Sequence, residues 1–309
     1  MSLKVLCPLT GISLTNNMCP TPMHRFDRNG SSLGYVPCGK CLQCRIDKRN
    51  EWTWRIQAAC RDKEAMFVTL TIDDEHLRGG SVMVSSCQRF IKRLRKNVNA
   101  VYGVVKDDSG HSYANRAIQY FMVSEYGDPS NTLRPHYHAI IIGLSCGKPL
   151  TSDVGDIPLV RKSWPFGYIK CEPACKSNIR YVLKYLDKSE YDDTWEFEHP
   201  CLLRPFRLMS KGIGLQWIKD NQDSLREGSG SFYFDGAFRP LPRYYKEKLF
   251  SRRELLDMRK PFLSDKSKAN RIAEYIHDNH CTFDEAVFAL GRQNLLSLEK
   301  KVAMKAEGI

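Results

Sequence analysis

The stretch "RPHYHAIII", Arg134 to Ile142, sets two histidines two residues apart inside an apolar run. Side chains alternate along a strand, so His136 and His138 share one face, with Tyr137 and Ala139 on the other. Two imidazoles on one face can converge on one cation. The segment "FMVSE" ends on Glu125, and the turn-rich "EYGDPSNTLRP" leads from it to the histidines. Two strands joined in this way read as a hairpin with a long loop, which brings Glu125 beside His136. Two imidazoles and a carboxylate make a three-donor site for a divalent cation and leave positions open. Open positions are what a Lewis acid needs to polarise a phosphoryl oxygen. Asp128 is the fallback third donor. The plainer reading of the pair is two hydrogen-bonded histidines at a strand end.

A second group lies in "NIRYVLKYLDK". Ile179, Val182, Leu183 and Leu186 form the apolar stripe of a helix. Tyr181 and Tyr185 stand off that stripe, about 6 Å apart along the axis, with Lys184 between them in sequence. A phenol titrates near pH 10, so about one in a thousand is ionised at neutral pH. A tyrosine nucleophile here would need its proton removed as it attacks, and Lys184 could steady the developing charge. Amphipathic tyrosines at the edge of a core are the competing reading.

A third group is "CGKCLQC", with Cys38, Cys41 and Cys44 at C-x2-C-x2-C spacing. Cysteines so spaced in a turn suit a zinc knuckle, with Cys7 or Cys19 available as fourth ligand. Buried free thiols are the alternative. The chain has 12 cysteines, and its N-terminus turns polar too early for a secretory signal. A disulfide framework is therefore not expected, and structural zinc is.

These groups need elements to hold them. "MFVTLTI", Met66 to Ile72, is β-branched and reads as a strand. A helix follows, capped by Ser85 or Ser86, with Cys87, Phe90, Ile91, Leu94 and Val98 at helical spacing. Arg89, Lys92, Arg93, Arg95 and Lys96 make its other face. "AIQYFMVSE", "HYHAIIIG" and the weaker "WPFGYIKC" supply further strands. The tyrosine helix runs from a Ser177 cap to Lys188. Another helix opens at about Asp47, "REGSGSFYFDG" marks a loop, and two helices at about 265–279 and 282–306 close the chain. Strand, helix, hairpin, strand, helix gives an α+β fold with a mostly antiparallel sheet and the two helices on one face. The expected domains are a Cys-rich module over 1–50, a palm over 51–200 and a helical C-terminal region over 201–309.

The chain of 309 residues carries 47 Lys and Arg against 35 Asp and Glu, a net +12. Such a field attracts polyanions, nucleic acid first. No apolar run is long enough to span a bilayer, so no membrane partner is expected. No "GxxxxGK[ST]" occurs, so any unwinding of duplex DNA falls to another enzyme.

Taken together, "FVTLTI", "RPHYHAIIIG" and "YVLKY" resemble the three ordered motifs of HUH endonucleases, the rolling-circle replication initiators. "PCGKCLQCR", "SEYGDPSNTLRPHYHAIIIG" and "LPRYYKEKL" resemble more closely the initiators of small single-stranded DNA phages, the gokushovirus branch of the Microviridae. The likeness runs from about Cys7 to Leu249. It implies a ferredoxin-like palm and Mg2+ or Mn2+ held by His136, His138 and a third polar residue, with Glu125 resting on the hairpin argument. It implies Tyr181 and Tyr185 as nucleophiles on single-stranded DNA at a phage origin, forming a 5′-phosphotyrosine and releasing a 3′-OH primer. It also implies supercoiled phage DNA, a host helicase and a host polymerase as partners, in the host bacterial cytoplasm. A zinc-stabilised, sequence-specific DNA-binding protein without catalysis is the rival. It explains the charge and the cysteines but not the histidines, Glu125 or the tyrosines. A non-haem iron oxygenase fits less well, because its usual pair is His-x-carboxylate.

Overall fold

The structure is a computed structural model that describes residues 19–30, 32–77, 79–127, 133–147, 154–188, 195–227, 231–234, 237–257 and 266–306. In chain order the elements are β1 (Met23–Phe26), β2 (Ser32–Val36), α1 (Leu42–Ala59), β3 (Ala65–Thr71), α2 (Val84–Tyr102), β4 (Val104–Lys106) and β5 (Ser112–Ala114). Then come β6 (Gln119–Tyr126), β7 (Pro135–Ile142), α3 (Ile157–Ser163), β8 (Ile169–Pro173), α4 (Lys176–Lys188), α5 (Trp195–Glu198), β9 (Arg207–Met209) and α6 (Leu215–Asp220). The remainder is α7 (Gln222–Glu227), β10 (Ser231–Phe234), β11 (Ala237–Pro240), α8 (Arg243–Leu249), α9 (Arg252–Asp257), α10 (Lys266–Asn279) and α11 (Phe283–Ala306). They form two compact units, Arg49–Asp220 and Met1–Lys48 with Asn221–Ile309. The sequence reading cuts the chain into three at about 50 and 200. In the structure the central unit runs on to Asp220, and the two ends of the chain make one unit.

The central unit is built on a five-stranded sheet in the order β8-β3-β7-β6-β9, antiparallel at every pairing. Strands β8, β3, β7 and β6 take the split β-α-β order of a ferredoxin-like sheet. The expected α+β fold with a central antiparallel sheet is thus what forms. Alternation then sorts the side chains. Met66, Val68, Leu70, Met122, Tyr137, Ala139 and Ile141 face α2 and α3, where Phe90, Leu94, Val160 and Trp164 cover them. Phe67, Phe121, Val123, Ile140 and Ile142 point the other way, onto Ile56 of α1 and Ile179, Val182, Leu183 and Leu186 of α4. This corrects the expected placement of both helices on one face. The crossover helices α2 and α3 lie together, but the tyrosine helix packs on the opposite side. The reason is visible in β7, whose residues 137–142 are buried on both faces. A strand apolar on both faces requires a cover on each.

The α2 stripe is buried as expected, at Cys87, Phe90, Ile91, Leu94 and Val98. Its start differs: Met83 is the N-cap, with no side-chain cap bond. Two tyrosines of the sheet serve the helix entry instead. The Met83 N–H donates to Tyr137 Oη at 2.9 Å, and the Val82 N–H to Tyr126 Oη at 3.0 Å. Arg93, expected on the solvated basic face, donates to the Ser163 carbonyl at 2.8 Å and anchors α2 to the end of α3.

In the other unit, β1 pairs with β2 and β10 with β11, two hairpins the sequence reading takes for loops. The closing helices form close to their expected limits. Ile272 of α10 meets Ala286, Val287 and Leu290 of α11 in a small core. Thr282 and Glu285 form a reciprocal capping box: the Glu285 N–H donates to Thr282 Oγ1 at 3.3 Å and the Thr282 N–H to Glu285 Oε2 at 2.7 Å. No described helix is long and apolar enough to cross a membrane.

Candidate active site and cysteine cluster

Pairing of β6 with β7 sets Glu125 opposite His136 and Val123 opposite His138. Pairing of β3 with β7 sets Thr69 opposite His138. Even-numbered residues of β7 and odd-numbered residues of β6 share the face that α4 covers. The two sequence-derived groups, on a hairpin and on a helix, therefore meet.

The Glu125 carboxylate reaches diagonally to His138, with Oε1 2.6 Å from Nε2. The other nitrogen of that ring, Nδ1, lies 3.1 Å from Thr69 Oγ1. Phe67 stacks on the His138 ring at 5.7 Å with an interplanar angle of 8°. His136 is fixed by a different partner. Its Nδ1 lies 2.7 Å from the Arg134 carbonyl oxygen. A carbonyl only accepts, so Nδ1 carries the proton and Nε2 keeps its lone pair. Arg134 is held in turn by Asp74 at 2.6 Å and by the Ile72 carbonyl at 2.7 Å.

Above these groups stand the tyrosines of α4. Tyr185 Oη donates to Tyr181 Oη at 2.9 Å, and Tyr181 Oη donates to Glu125 Oε1 at 3.3 Å. The two rings pack edge to face with centroids 5.4 Å apart, and the Tyr181 ring lies edge-on to His138 at 5.1 Å. Tyr181 is 39 % exposed, enough for a ligand to reach its oxygen. Burial pushes the Glu125 carboxyl up, but hydrogen bonds from His138 and Tyr185 and the fields of both imidazoles outweigh it, so the group sits below its usual range. Burial first, and the Glu125 carboxylate beside them, hold both phenols above the usual range, Tyr185 more than Tyr181. Both oxygens therefore carry their protons at neutral pH.

The donor set suits a divalent cation. Both imidazoles have Nδ1 hydrogen-bonded, and Nε2 is the nitrogen turned toward a ligand, as second-shell anchoring requires. The carboxylate lies against one of them. The three donors nevertheless do not close around a point as the cysteines do. Among the described residues, the group of His, Cys, Asp or Glu ligand atoms gathered within 4.8 Å is Cys19, Cys38, Cys41 and Cys44. Lys184 is exposed, and no described contact ties it to Glu125 or the imidazoles. Asp128 and Cys7 lie outside the described residues.

Sequence reasoning misses three members of this site: Thr69, Phe67 and Arg134. Thr69 and Phe67 lie in "FVTLTI", but only the β3–β7 register brings them to His138. Arg134 acts through its backbone carbonyl, which leaves no trace in residue type. The start of α4 also differs from expectation. Cys175, not Ser177, precedes the first turn: the Ile179 N–H donates to the Cys175 carbonyl at 3.1 Å, and the Cys175 N–H to Asn178 Oδ1 at 3.0 Å.

In the other unit, Cys19 joins the knuckle as the fourth sulfur, the place the sequence leaves open between Cys7 and Cys19. Cys19 and Cys41 Sγ lie 3.7 Å apart, and Cys38 and Cys44 Sγ 4.0 Å. Thiol hydrogen bonds from Cys41 and Cys44 draw the Cys19 thiol well below its usual range. The contact with Cys19 pushes Cys41 up to about 12 and Cys44 higher still.

Comparison with known proteins agrees with the motif resemblance. A family of replication-associated proteins, the ORF2 family, matches residues 65–190, from β3 to just past the tyrosine helix. The chain is 27 % identical over 222 residues to the replication-associated protein VP4 of Bdellovibrio phage phiMH2K, covering 68 % of this chain and 66 % of that one. It is 28 % identical over 270 residues to the replication-associated protein ORF2 of Spiroplasma virus 4, covering 81 % and 78 %. It is 29 % identical over 236 residues to the replication-associated protein ORF4 of Chlamydia phage 1, covering 69 % of this chain and about half, 53 %, of that one. No solved structure matches. The resemblance to phage replication initiators is thereby borne out.

Proposed function

We propose that this chain nicks and rejoins single-stranded DNA at a phage replication origin, as a metal-dependent HUH-type endonuclease and strand transferase working through a 5′-phosphotyrosine. Similarity to three phage replication-associated proteins supports the role in replication. One observation carries the chemistry: two tyrosine hydroxyls, a carboxylate and an imidazole form a continuous hydrogen-bonded line, at 2.9, 3.3 and 2.6 Å, on an accessible face of the sheet.

His136, His138 and Glu125 are the residues that would hold Mg2+ or Mn2+. A bound cation would supply Lewis-acid polarisation of the scissile phosphate. The rest is the work of the chain. Tyr181 Oη attacks phosphorus, a new O–P bond forms, and the bond from phosphorus to the 3′-oxygen breaks. The phenol is protonated in the resting site, so its proton must leave as the bond forms. Glu125 Oε1, 3.3 Å away, is in position to accept it. The leaving 3′-oxygen takes up a proton and becomes the 3′-OH that primes synthesis. Reversal, with another 3′-OH as attacking group, frees the tyrosine and joins strands.

The test is incubation of the protein with single-stranded origin DNA and Mn2+, followed by a denaturing gel. A protein–DNA band that survives denaturation, and is lost in Tyr181→Phe/Tyr185→Phe, is the expected result. Retention of binding with no covalent band under any divalent cation overturns the reading in favour of a DNA-binding protein without catalysis.

A further inference from the structure

We infer that Cys19, Cys38, Cys41 and Cys44 hold one Zn2+ in a closed structural site, and that this site is seated on α11 at Gly291. The four sulfurs lie within 4.8 Å of one another. Zn–S bonds of about 2.3 Å in a tetrahedron set sulfur–sulfur edges of about 3.8 Å. The Cys19–Cys41 and Cys38–Cys44 separations of 3.7 and 4.0 Å bracket that value. A disulfide would need about 2.05 Å.

The backbone is arranged for thiolates. The Lys40 and Cys41 N–H groups donate to Cys38 Sγ at 3.4 and 3.3 Å. The Cys44 N–H donates to Cys41 Sγ at 3.5 Å, and the Cys38 N–H to Cys19 Sγ at 3.4 Å. Amide dipoles aimed at sulfur stabilise the negative charge a thiolate ligand carries. The turn that aims them passes through Gly39 at φ +77°, a conformation that glycine adopts freely. Four sulfurs leave no position for a substrate, so the role is structural. Metal binding releases the thiol protons to solvent.

The ligand distant in sequence is held from outside the knuckle. At Gly291, within α11, a Cβ would come 2.6 Å from Pro20 Cα and 2.8 Å from the Cys19 carbonyl oxygen. The backbone of α11 therefore rests directly on the strip of chain that presents Cys19. Zinc at this point ties the start of the described chain to one of its last helices.

The test uses the full chain purified under reducing conditions from zinc-supplemented cells. Elemental analysis should give about one zinc per chain. Cobalt exchanged into the wild-type protein should show the absorption of a tetrahedral tetrathiolate, a readout that needs no variant to fold. Each of Cys19→Ser, Cys38→Ser, Cys41→Ser and Cys44→Ser should lose the zinc, whereas Cys7→Ser and Cys175→Ser should keep it. Gly291→Ala should release zinc to a chromogenic chelator roughly ten-fold faster. Wild-type protein with no zinc and no tetrathiolate cobalt spectrum overturns the site. Loss of zinc in Cys7→Ser with full zinc in Cys19→Ser overturns the fourth ligand. An unchanged release rate in Gly291→Ala overturns the seating on α11. None of these readouts depends on DNA cleavage.

Discussion

At His138 the nitrogen available to a ligand is decided by what the other nitrogen does. Thr69 Oγ1 sits 3.1 Å from Nδ1, and Phe67 stacks on the ring, so Nε2 is aimed at the Glu125 side. Thr69→Val keeps the shape and removes the hydroxyl. The expected outcome is a Mn2+ requirement for adduct formation raised roughly ten-fold, with near-normal cleavage at saturating Mn2+; an unchanged Mn2+ titration would show that the hydroxyl does not orient the ring. Thiols can be sorted in the same way. Cys175 is exposed, and hydrogen bonds from Ser177 and Asn178 draw its thiol down. Burial pushes Cys60 and Cys171 up to about 12 and leaves Cys87 higher still. A thiolate is the reactive form. Maleimide at neutral pH should therefore label Cys175 well before Cys60, Cys87 or Cys171, as peptide mapping would read.

The tyrosine helix makes the two hydroxyls a unit. Tyr181 and Tyr185 are one turn apart on α4, and their oxygens are bonded to each other and to one carboxylate. A rolling-circle product must be cut again while its first 5′ end remains covalently held. Two nucleophiles in one site meet that need. Tyr181→Phe and Tyr185→Phe should each retain some single cleavage and each fail at repeated transfer, and the double variant should form no adduct. Mapping the adduct to the same tyrosine in the wild type and in every background where that tyrosine remains would rule alternation out. The helix itself is held by its stripe. Leu183 is fully buried between α4 and the sheet, so Leu183→Ala should cost about 2–5 kcal/mol of stability in denaturant unfolding. That stripe, the α2 stripe and the His-x-His alternation were legible because periodicity is local. What was not legible depended on contacts far apart in sequence. The face that α4 covers follows from a β7 apolar on both sides. The entry to α2 is served by Tyr126 and Tyr137 rather than by Ser85 or Ser86. Cys19 could be set above Cys7 only once the chain had folded back on its knuckle.

On the scale of the whole molecule, the net charge of +12 and the imidazole–carboxylate–tyrosine site answer different questions. Affinity for single-stranded DNA comes mainly from Lys and Arg neutralising phosphates, and log K falls with log salt at a slope of about −0.7 per phosphate contacted. The site contributes to chemistry through a handful of groups that are half-buried or buried and sit on the sheet. Binding and cleavage should therefore separate. His138→Ala removes an imidazole that is already engaged by Glu125 and Thr69, and it removes no Lys or Arg from the surface. The expected outcome is DNA affinity within a few-fold of wild type, the same salt slope, and no covalent adduct with Mg2+ or Mn2+. His136→Ala should behave in the same way, and Glu125→Ala should follow them if the carboxylate is the third donor. Filter binding across a salt series, run beside the denaturing gel, measures both quantities on one preparation. A His138→Ala protein whose salt slope flattens together with its loss of cleavage would mean that the histidine site holds the DNA backbone itself. Binding and chemistry would then be one surface rather than two.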